Sequence, residues 1–200
     1  MTTDELPRAP AAERNREPIL GVLRREFGQV HRVLEIGSGT GQHAVYMARN
    51  MPHLQWQPTD LEPHLAVIDA RRRLEGPENL EAPVALDADA AVWPHFDADA
   101  AFSANTVHIM AWKSVERMFF GLGALLGAGA PFCLYGPFHY HGRATAVSNA
   151  RFDQALRARD TGSGIRDIDD LSVLASAAGF RLSGDHAMPA NNRLLVWRRR

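Results

Sequence analysis

A hydrophobic strand that runs straight into three alternate glycines leaves a chain few folds to choose from. This chain has one at Leu34-Glu35-Ile36-Gly37-Ser38-Gly39-Thr40-Gly41. Glycines in that spacing let the backbone turn sharply into a following helix and approach a ligand closely, at the carboxyl edge where open α/β sheets bind. A single glycine makes a tight turn on its own, and three are costly to order without a ligand to justify them. The spacing also separates ligands. A dinucleotide fingerprint, G-x-G-x-x-G/A, needs glycine or alanine at position 42, where this chain has Gln42. Glu35, two residues before the first glycine, is out of place beside a pyrophosphate and suits a cationic ligand.

Hydrophobic runs on either side alternate in type, which implies βαβ units around a mostly parallel sheet. Pro18 fits the first turn of a helix carrying Ile19, Leu20, Val22, Leu23 and Phe27, ended by Gly28. Strands are expected at Val30 to Ile36, Leu54 to Gln57, Ala82 to Leu86, Ala100 to Ala104 and Pro131 to Tyr135. Helices are expected after Gly41, from Pro63 through Leu74, at Lys113 to Leu126, near Ala150 to Arg159 and at Ile168 to Ala178. The last two runs, Phe180 to Met188 and Arg193 to Trp197, have no helix between them, and such a hairpin makes the sheet mixed.

Length and charge narrow the function. Two hundred residues fit one domain, 1–200, and 22 basic against 23 acidic side chains leave a net charge of -1. That balance argues against a broad nucleic-acid footprint; Arg71-Arg72-Arg73 reads as the solvent face of a helix and Arg198-Arg199-Arg200 as a chain end. Lys113 is the only lysine and Cys133 the only cysteine. A P-loop, an intramolecular disulfide, a Cys-x-x-Cys redox pair and a cysteine-rich zinc site are therefore excluded. Lys113 is expected exposed at a helix start and Cys133 buried in the fifth strand. Met118 to Gly142 carries no formal charge over 25 residues, but Gly127-Ala128-Gly129-Ala130-Pro131 breaks it into helix end, loop and strand rather than a membrane span. The acidic start, Met1 to Glu5, lacks the features of a secretory signal, and a cytoplasmic location is the expectation.

The E-x-G-x-G-x-G pattern resembles motif I of the class I S-adenosylmethionine-dependent methyltransferases. The resemblance implies that Glu35, Gly37, Ser38, Gly39 and Gly41 pass beside the cofactor's methionine portion and ribose. Asp60, 23 residues after Gly37 and just past the second strand, is placed to accept from the ribose hydroxyls, or else to cap the helix that follows. Asp87 would accept from the adenine amino group, with Asp89 as its competitor, and Asn105 would lie near the methyl-transfer centre. Thr106-Val107-His108 departs from the Asn/Asp-Pro-Pro-aromatic motif of methyltransferases acting on amino groups of nucleic acids.

A longer likeness covers Pro10 to Trp197. Pro10-Ala11-Ala12-Glu13-Arg14-Asn15, Glu17-Pro18-Ile19-Leu20, Gly39-Thr40-Gly41-Gln42-His43-Ala44, Trp56-Gln57-Pro58-Thr59-Asp60, Tyr135-Gly136-Pro137-Phe138, Gly164-Ile165-Arg166-Asp167 and Met188-Pro189-Ala190-Asn191-Asn192 carry it. They resemble the family of domain of unknown function 938, whose animal members are called methyltransferase-like protein 26. The resemblance implies a Rossmann-like α/β fold, a seven-stranded mixed sheet in the order 3-2-1-4-5-7-6 with strand 7 antiparallel and helices on both faces. It implies S-adenosylmethionine as cofactor and leaves the acceptor open. In this fold the N-terminal segment, residues 1–17, often covers the cofactor, so Arg14 could pair with the methionine carboxylate or simply with Glu13 or Glu17.

Transfer from an activated sulfonium needs alignment more than a protein nucleophile. If the acceptor must lose a proton, His108 is the first candidate base and His139 the second, although His108 serves as well as a structural histidine. His139-x-His141 lacks a carboxylate or cysteine cluster for a metal and fits an aromatic pocket wall with Phe138 and Tyr140; no metal is expected. Asn191-Asn192 fits a turn. The reading is a methyltransferase acting on a small molecule, with no membrane and no nucleic-acid partner. The alternatives are a non-catalytic S-adenosylmethionine-binding module, an NAD-dependent oxidoreductase, which Gln42 opposes, and a transferase using decarboxylated S-adenosylmethionine.

Overall fold

The computed structural model describes residues 5–200; the first four residues of the 1–17 segment, and with them the acidic start apart from Glu5, lie outside them. Among the described residues ten strands and six α-helices follow one another. In the first half come α1 (Pro10–Glu26), β1 (Arg32–Ile36), α2 (Gln42–Asn50), β2 (Gln55–Asp60), α3 (Glu62–Glu75), β3 (Val84–Ala85) and β4 (Ala100–Ala104). The second half has α4 (Trp112–Leu125), β5 (Pro131–Gly136), β6 (Phe138–Tyr140), β7 (Arg143–Ala144), α5 (Val147–Arg159), β8 (Arg166–Asp167), α6 (Ile168–Ala177), β9 (Phe180–Met188) and β10 (Asn192–Arg199). The main sheet has the order β3-β2-β1-β4-β5-β10-β9, and β10 is antiparallel to both β5 and β9. With the three short strands β6 to β8 set aside in their own sheet, this is the expected 3-2-1-4-5-7-6 order.

The chain divides into two compact units, Met1–Ser103 and Ala104–Arg200. In the first, β1 pairs in parallel with β2 and β4, and β2 with β3. Trp56 and Phe102 are fully buried and meet at 5.8 Å, and Ile19, Leu23, Leu34 and Met47 close the core around them. α1 begins at Pro10, eight residues before the expected start, and Pro18 lies inside it. Proline at position 18 removes one bond to the carbonyl of residue 14. Arg14 is exposed, so water can satisfy that carbonyl. The connection from β3 to β4 carries no helix.

In the second unit the core is aromatic. Phe119 of α4 meets Phe132, Phe180 and Trp197 edge-on at 5.4, 6.4 and 6.0 Å, the geometry that aromatic quadrupoles prefer. Cys133 is fully buried in β5, and Lys113 is exposed in the first turn of α4. The arginines at the chain end are not merely terminal decoration. Arg199 belongs to β10 and donates to the carbonyls of Gly123 and Gly179 at 2.8 and 2.9 Å. No helix among the described residues is long and apolar enough to cross a membrane.

Candidate functional site

The glycine loop follows the last residue of β1. Gly37, Gly39 and Gly41 all have positive φ, at 74°, 58° and 74°, a region that costs other residues about 1–2 kcal/mol. The amides of Gly37 and Ser38 both donate to the Thr59 carbonyl at 3.0 Å, and that of Gly41 to the Ser38 carbonyl at 2.8 Å. The Gly39 amide donates to Asp60 Oδ2 at 2.7 Å. These four N–H groups are satisfied within the protein, whereas a pyrophosphate loop leaves them for the ligand. The loop thus offers no anion cradle here.

Two of the glycines have different duties. A Cβ at Gly39 would meet nothing within 4 Å, so that side of the backbone is open. A Cβ at Gly41 would lie 3.4 Å from Arg71 Cδ and 3.5 Å from Ile68, so Gly41 serves close packing against α3.

Beneath the loop, Glu35 is buried and accepts from the Trp56 indole N–H at 2.9 Å. Burial pushes its carboxyl up from 4.5 to about 7; the Trp56 bond and the nearby Ser38 oppose the rise, and the charge of Asp60 adds to it. Ser38 lies near enough to favour the carboxylate, but its buried Oγ has no partner within hydrogen-bond geometry. Asp60 ends β2 with only 8% exposure. Its Oδ1 accepts from the Leu61 amide at 2.7 Å and faces His64 Nδ1 at 2.6 Å. Asp60 therefore ties the glycine loop to the residue that precedes α3. Asp60→Asn removes the charge from the bond to Gly39, and such bonds are worth roughly 1.5–3 kcal/mol. We expect this variant to melt roughly 3–12 °C below the parent in a thermal denaturation measurement.

Asp87 is exposed and caps its own turn, accepting from the Asp89 amide at 2.8 Å. Arg14 lies on the outer side of α1. Its neighbour Asn15 is buried and bonds His43 Nε2 at 2.7 Å, where burial holds the imidazole down to about 4. Arg71 departs from the expected solvent face. It is 3% exposed and donates to the carbonyls of Thr40 in the glycine loop and Pro7 in the N-terminal segment, at 2.7 Å each, and to Glu75 at 2.8 Å. Gln42, which breaks the dinucleotide pattern, accepts from the Ala9 amide at 2.6 Å and donates to Glu13 at 2.5 Å. A cavity of about 380 Å³ lies elsewhere, beside Arg32 and Gln55 at the opposite ends of the same strands.

In the second unit, Asn105 stands at φ 58° just after β4, with its amide on the Tyr135 carbonyl at 2.9 Å. His108 Nδ1 and Asn105 Oδ1 both face the Cα of Gly136, 3.7 and 3.9 Å from where a Cβ would sit. His108 is 4% exposed, packs edge-on against Phe152 at 5.4 Å and leaves Nδ1 without a partner. Burial, then the charge of Arg166, holds it down to about 4. Arg166 grips the loop that carries it, donating to the carbonyls of Val107 at 3.0 Å, Met110, and Gly162 at 2.8 Å. His139, half-buried in β6, also has a buried nitrogen without a partner. His141 falls after the strand at φ 54° and faces Asp169 at 2.8 Å, so the two histidines do not share a strand face. Among the described residues no three His, Cys, Asp or Glu side chains are grouped to hold a metal. Asn191 forms part of the turn between β9 and β10 with Ala190, both at positive φ.

The donor set fits S-adenosylmethionine: an open glycine face, an orphaned Ser38 hydroxyl, and carboxylates at Glu35 and Asp60 rather than free amides. The sheet order, its antiparallel last strand and the glycine loop after β1 define the class I methyltransferase fold. Solved structures share it. The S-adenosylmethionine-dependent methyltransferase SibL in its apo form matches 94% of this chain and 55% of its own, at 22% identity and a TM-score of 0.78. PigF with SAH matches 91% and 55%, at 17% identity and a TM-score of 0.77. The mitomycin 7-O-methyltransferase MmcR matches 90% and 53%, at 16% identity and a TM-score of 0.76. The chain spans about half the length of these proteins. It belongs to the family described as Protein of unknown function (DUF938), whose model matches residues 6–199.

Proposed function

We propose that the chain is an S-adenosylmethionine-dependent methyltransferase that passes a methyl group directly to a small-molecule acceptor. The observation that carries this reading is the loop at 37–41, whose amides are turned inward while the Gly39 face stays open above two carboxylates. Gly37, Ser38, Gly39 and Gly41 line the cofactor, with Glu35 and the Ser38 hydroxyl toward its cationic methionine end. Asp60 and Asp87 take the ribose and adenine, and Arg14 takes the methionine carboxylate. When bound, the cofactor supplies a methyl group already activated on a sulfonium.

Asn105 and His108 are assigned to the acceptor. A histidine held near 4 is neutral at physiological pH, so His108 offers an imidazole lone pair that orients an acceptor hydroxyl or amine rather than a cation that repels it. So low a basicity makes His108 a weak base, suited to receive a proton as transfer proceeds and not before. His139 is the second candidate for that role. The net charge of -1 and the mitomycin-modifying neighbour both favour a small acceptor over nucleic acid. Incubation with cofactor labelled in the methyl group and a metabolite extract should yield one labelled small product by mass spectrometry. Tight S-adenosylhomocysteine binding with no labelled product from any extract would instead establish the non-catalytic binding module.

A further inference from the structure

A second cavity, of about 220 Å³, lies among α1, α2, α3 and the segment before α1. Four guanidinium groups line it, from Arg8, Arg16, Arg49 and Arg71, against two carboxylates, Glu13 and Glu75. Both carboxylates already have cationic partners: Glu13 meets Arg16 at 2.5 Å and Glu75 meets Arg71 at 2.8 Å. Four guanidiniums against two carboxylates leave two positive charges in the lining. Like charges gathered around one small space repel unless an anion balances them.

The geometry is suited to an oxyanion. Arg71 is 3% exposed and held by the Thr40 and Pro7 carbonyls, and Arg16 lies over the Tyr46 ring at 4.7 Å. Two of the guanidinium planes are thus fixed before any ligand arrives. Arg49 gives one N–H to the Glu75 carbonyl, and a guanidinium carries five such donors. Planar N–H forks match the oxygens of a phosphoryl group. Two uncompensated charges match a dianion, and the volume admits a phosphoryl group with a few further atoms. No residue of the glycine loop at 37–41 lines this space.

We propose that this cavity is a binding site for a phosphomonoester dianion, held by Arg8, Arg49 and Arg71. The site stands apart from the cofactor reading and connects to it through one side chain. Arg71 holds the Thr40 carbonyl on one side and the Pro7 carbonyl on the other, so an anion bound to its guanidinium acts on the side chain that holds the glycine loop and the N-terminal segment. Linkage then makes the effect of each ligand on the other reciprocal.

The test titrates inorganic phosphate into the intact protein by calorimetry, at constant ionic strength and against acetate as a monoanionic control. Saturable one-to-one phosphate binding is expected, stronger than acetate. It should fall at least tenfold in the Arg8→Gln/Arg49→Gln double variant, whose two sites are exposed and whose fold should survive. Arg73→Gln, an exposed neighbour outside the cavity, should leave it unchanged. Absence of saturable phosphate binding, or equal affinity in the folded double variant, would overturn the proposal. A parallel titration of S-adenosylhomocysteine with and without phosphate reads the coupling. If S-adenosylhomocysteine fails to bind at all, the methyltransferase reading falls, and the phosphate titration still decides this one.

Discussion

Gly39→Arg should abolish cofactor binding and leave the protein folded. The backbone there sits at φ 58°, so any side chain pays the left-handed penalty of about 1–2 kcal/mol. For a domain of this size 1 kcal/mol corresponds to roughly 2–4 °C in Tm, so a modest drop is expected. The first atom of the new side chain meets no packed neighbour within 4 Å. That same open side is where the cofactor is proposed to lie against the backbone. A guanidinium there fills the space the ligand needs. Calorimetry with S-adenosylhomocysteine is expected to show at least a hundredfold loss, while Gly39→Ala, with its single methyl, loses much less. The contrast with Gly41→Ala is informative: a methyl there sits at φ 74° in ordinary contact with Arg71 and Ile68 at 3.4–3.5 Å rather than on an open face, so the larger part of its effect should appear in Tm. A folded Gly39→Arg protein with unaltered affinity would falsify the cofactor assignment.

The sequence made the sheet legible because its signals are local. Ala100 to Ala104 is a β-strand over the expected residues, and the helixless hairpin at the end correctly announced the antiparallel strand. Features that depend on tertiary contact were not legible in the same way. Three consecutive arginines on a helix point in directions about 100° apart, and only Arg71 turns inward. A signal was available: Arg71 lies three residues after the buried Ile68, and residues three apart share a helix face. Pro18 invited the opposite error. A proline fits a helix start, and Pro10, eight residues earlier, is the one that opens α1. Strands β7 and β8 have two residues each, too short for any periodicity to register. In the site, the signal for a cationic ligand is local, Glu35 two residues before the first glycine. That Gln42 reaches to the N-terminal segment, and that the loop's amides are turned inward, depends on partners 29 to 33 residues away in one case and on β2 in the other.

Glu35 should make both stability and cofactor affinity depend on pH, in opposite senses. Its carboxyl rises from 4.5 to about 7, chiefly because burial penalises the charged form. The folded protein therefore binds more protons than the unfolded chain between those values, and its stability falls as pH rises through that window and is flat above it. At about 1.36 kcal/mol per pH unit the whole effect is at most about 3 kcal/mol. Glu35→Gln keeps the shape and an acceptor for the Trp56 indole but cannot ionise. It should match the parent near pH 5 and exceed its Tm by several degrees at pH 8, with a flatter profile between. Cofactor binding reverses the preference. A cation bound beside Glu35 and Ser38 favours the carboxylate, so affinity should rise from pH 5.5 to pH 8 and binding should release protons near pH 6. Calorimetry in buffers of different ionisation enthalpy measures that release. In Glu35→Gln the affinity should be lower and the proton release gone. The two profiles separate the roles of this residue: a merely structural glutamate would alter Tm alone, whereas one that meets the cofactor must also carry the pH dependence of binding. An unchanged binding slope in the glutamine variant would place the cation-holding charge elsewhere, with Asp60 as the next carboxylate to replace.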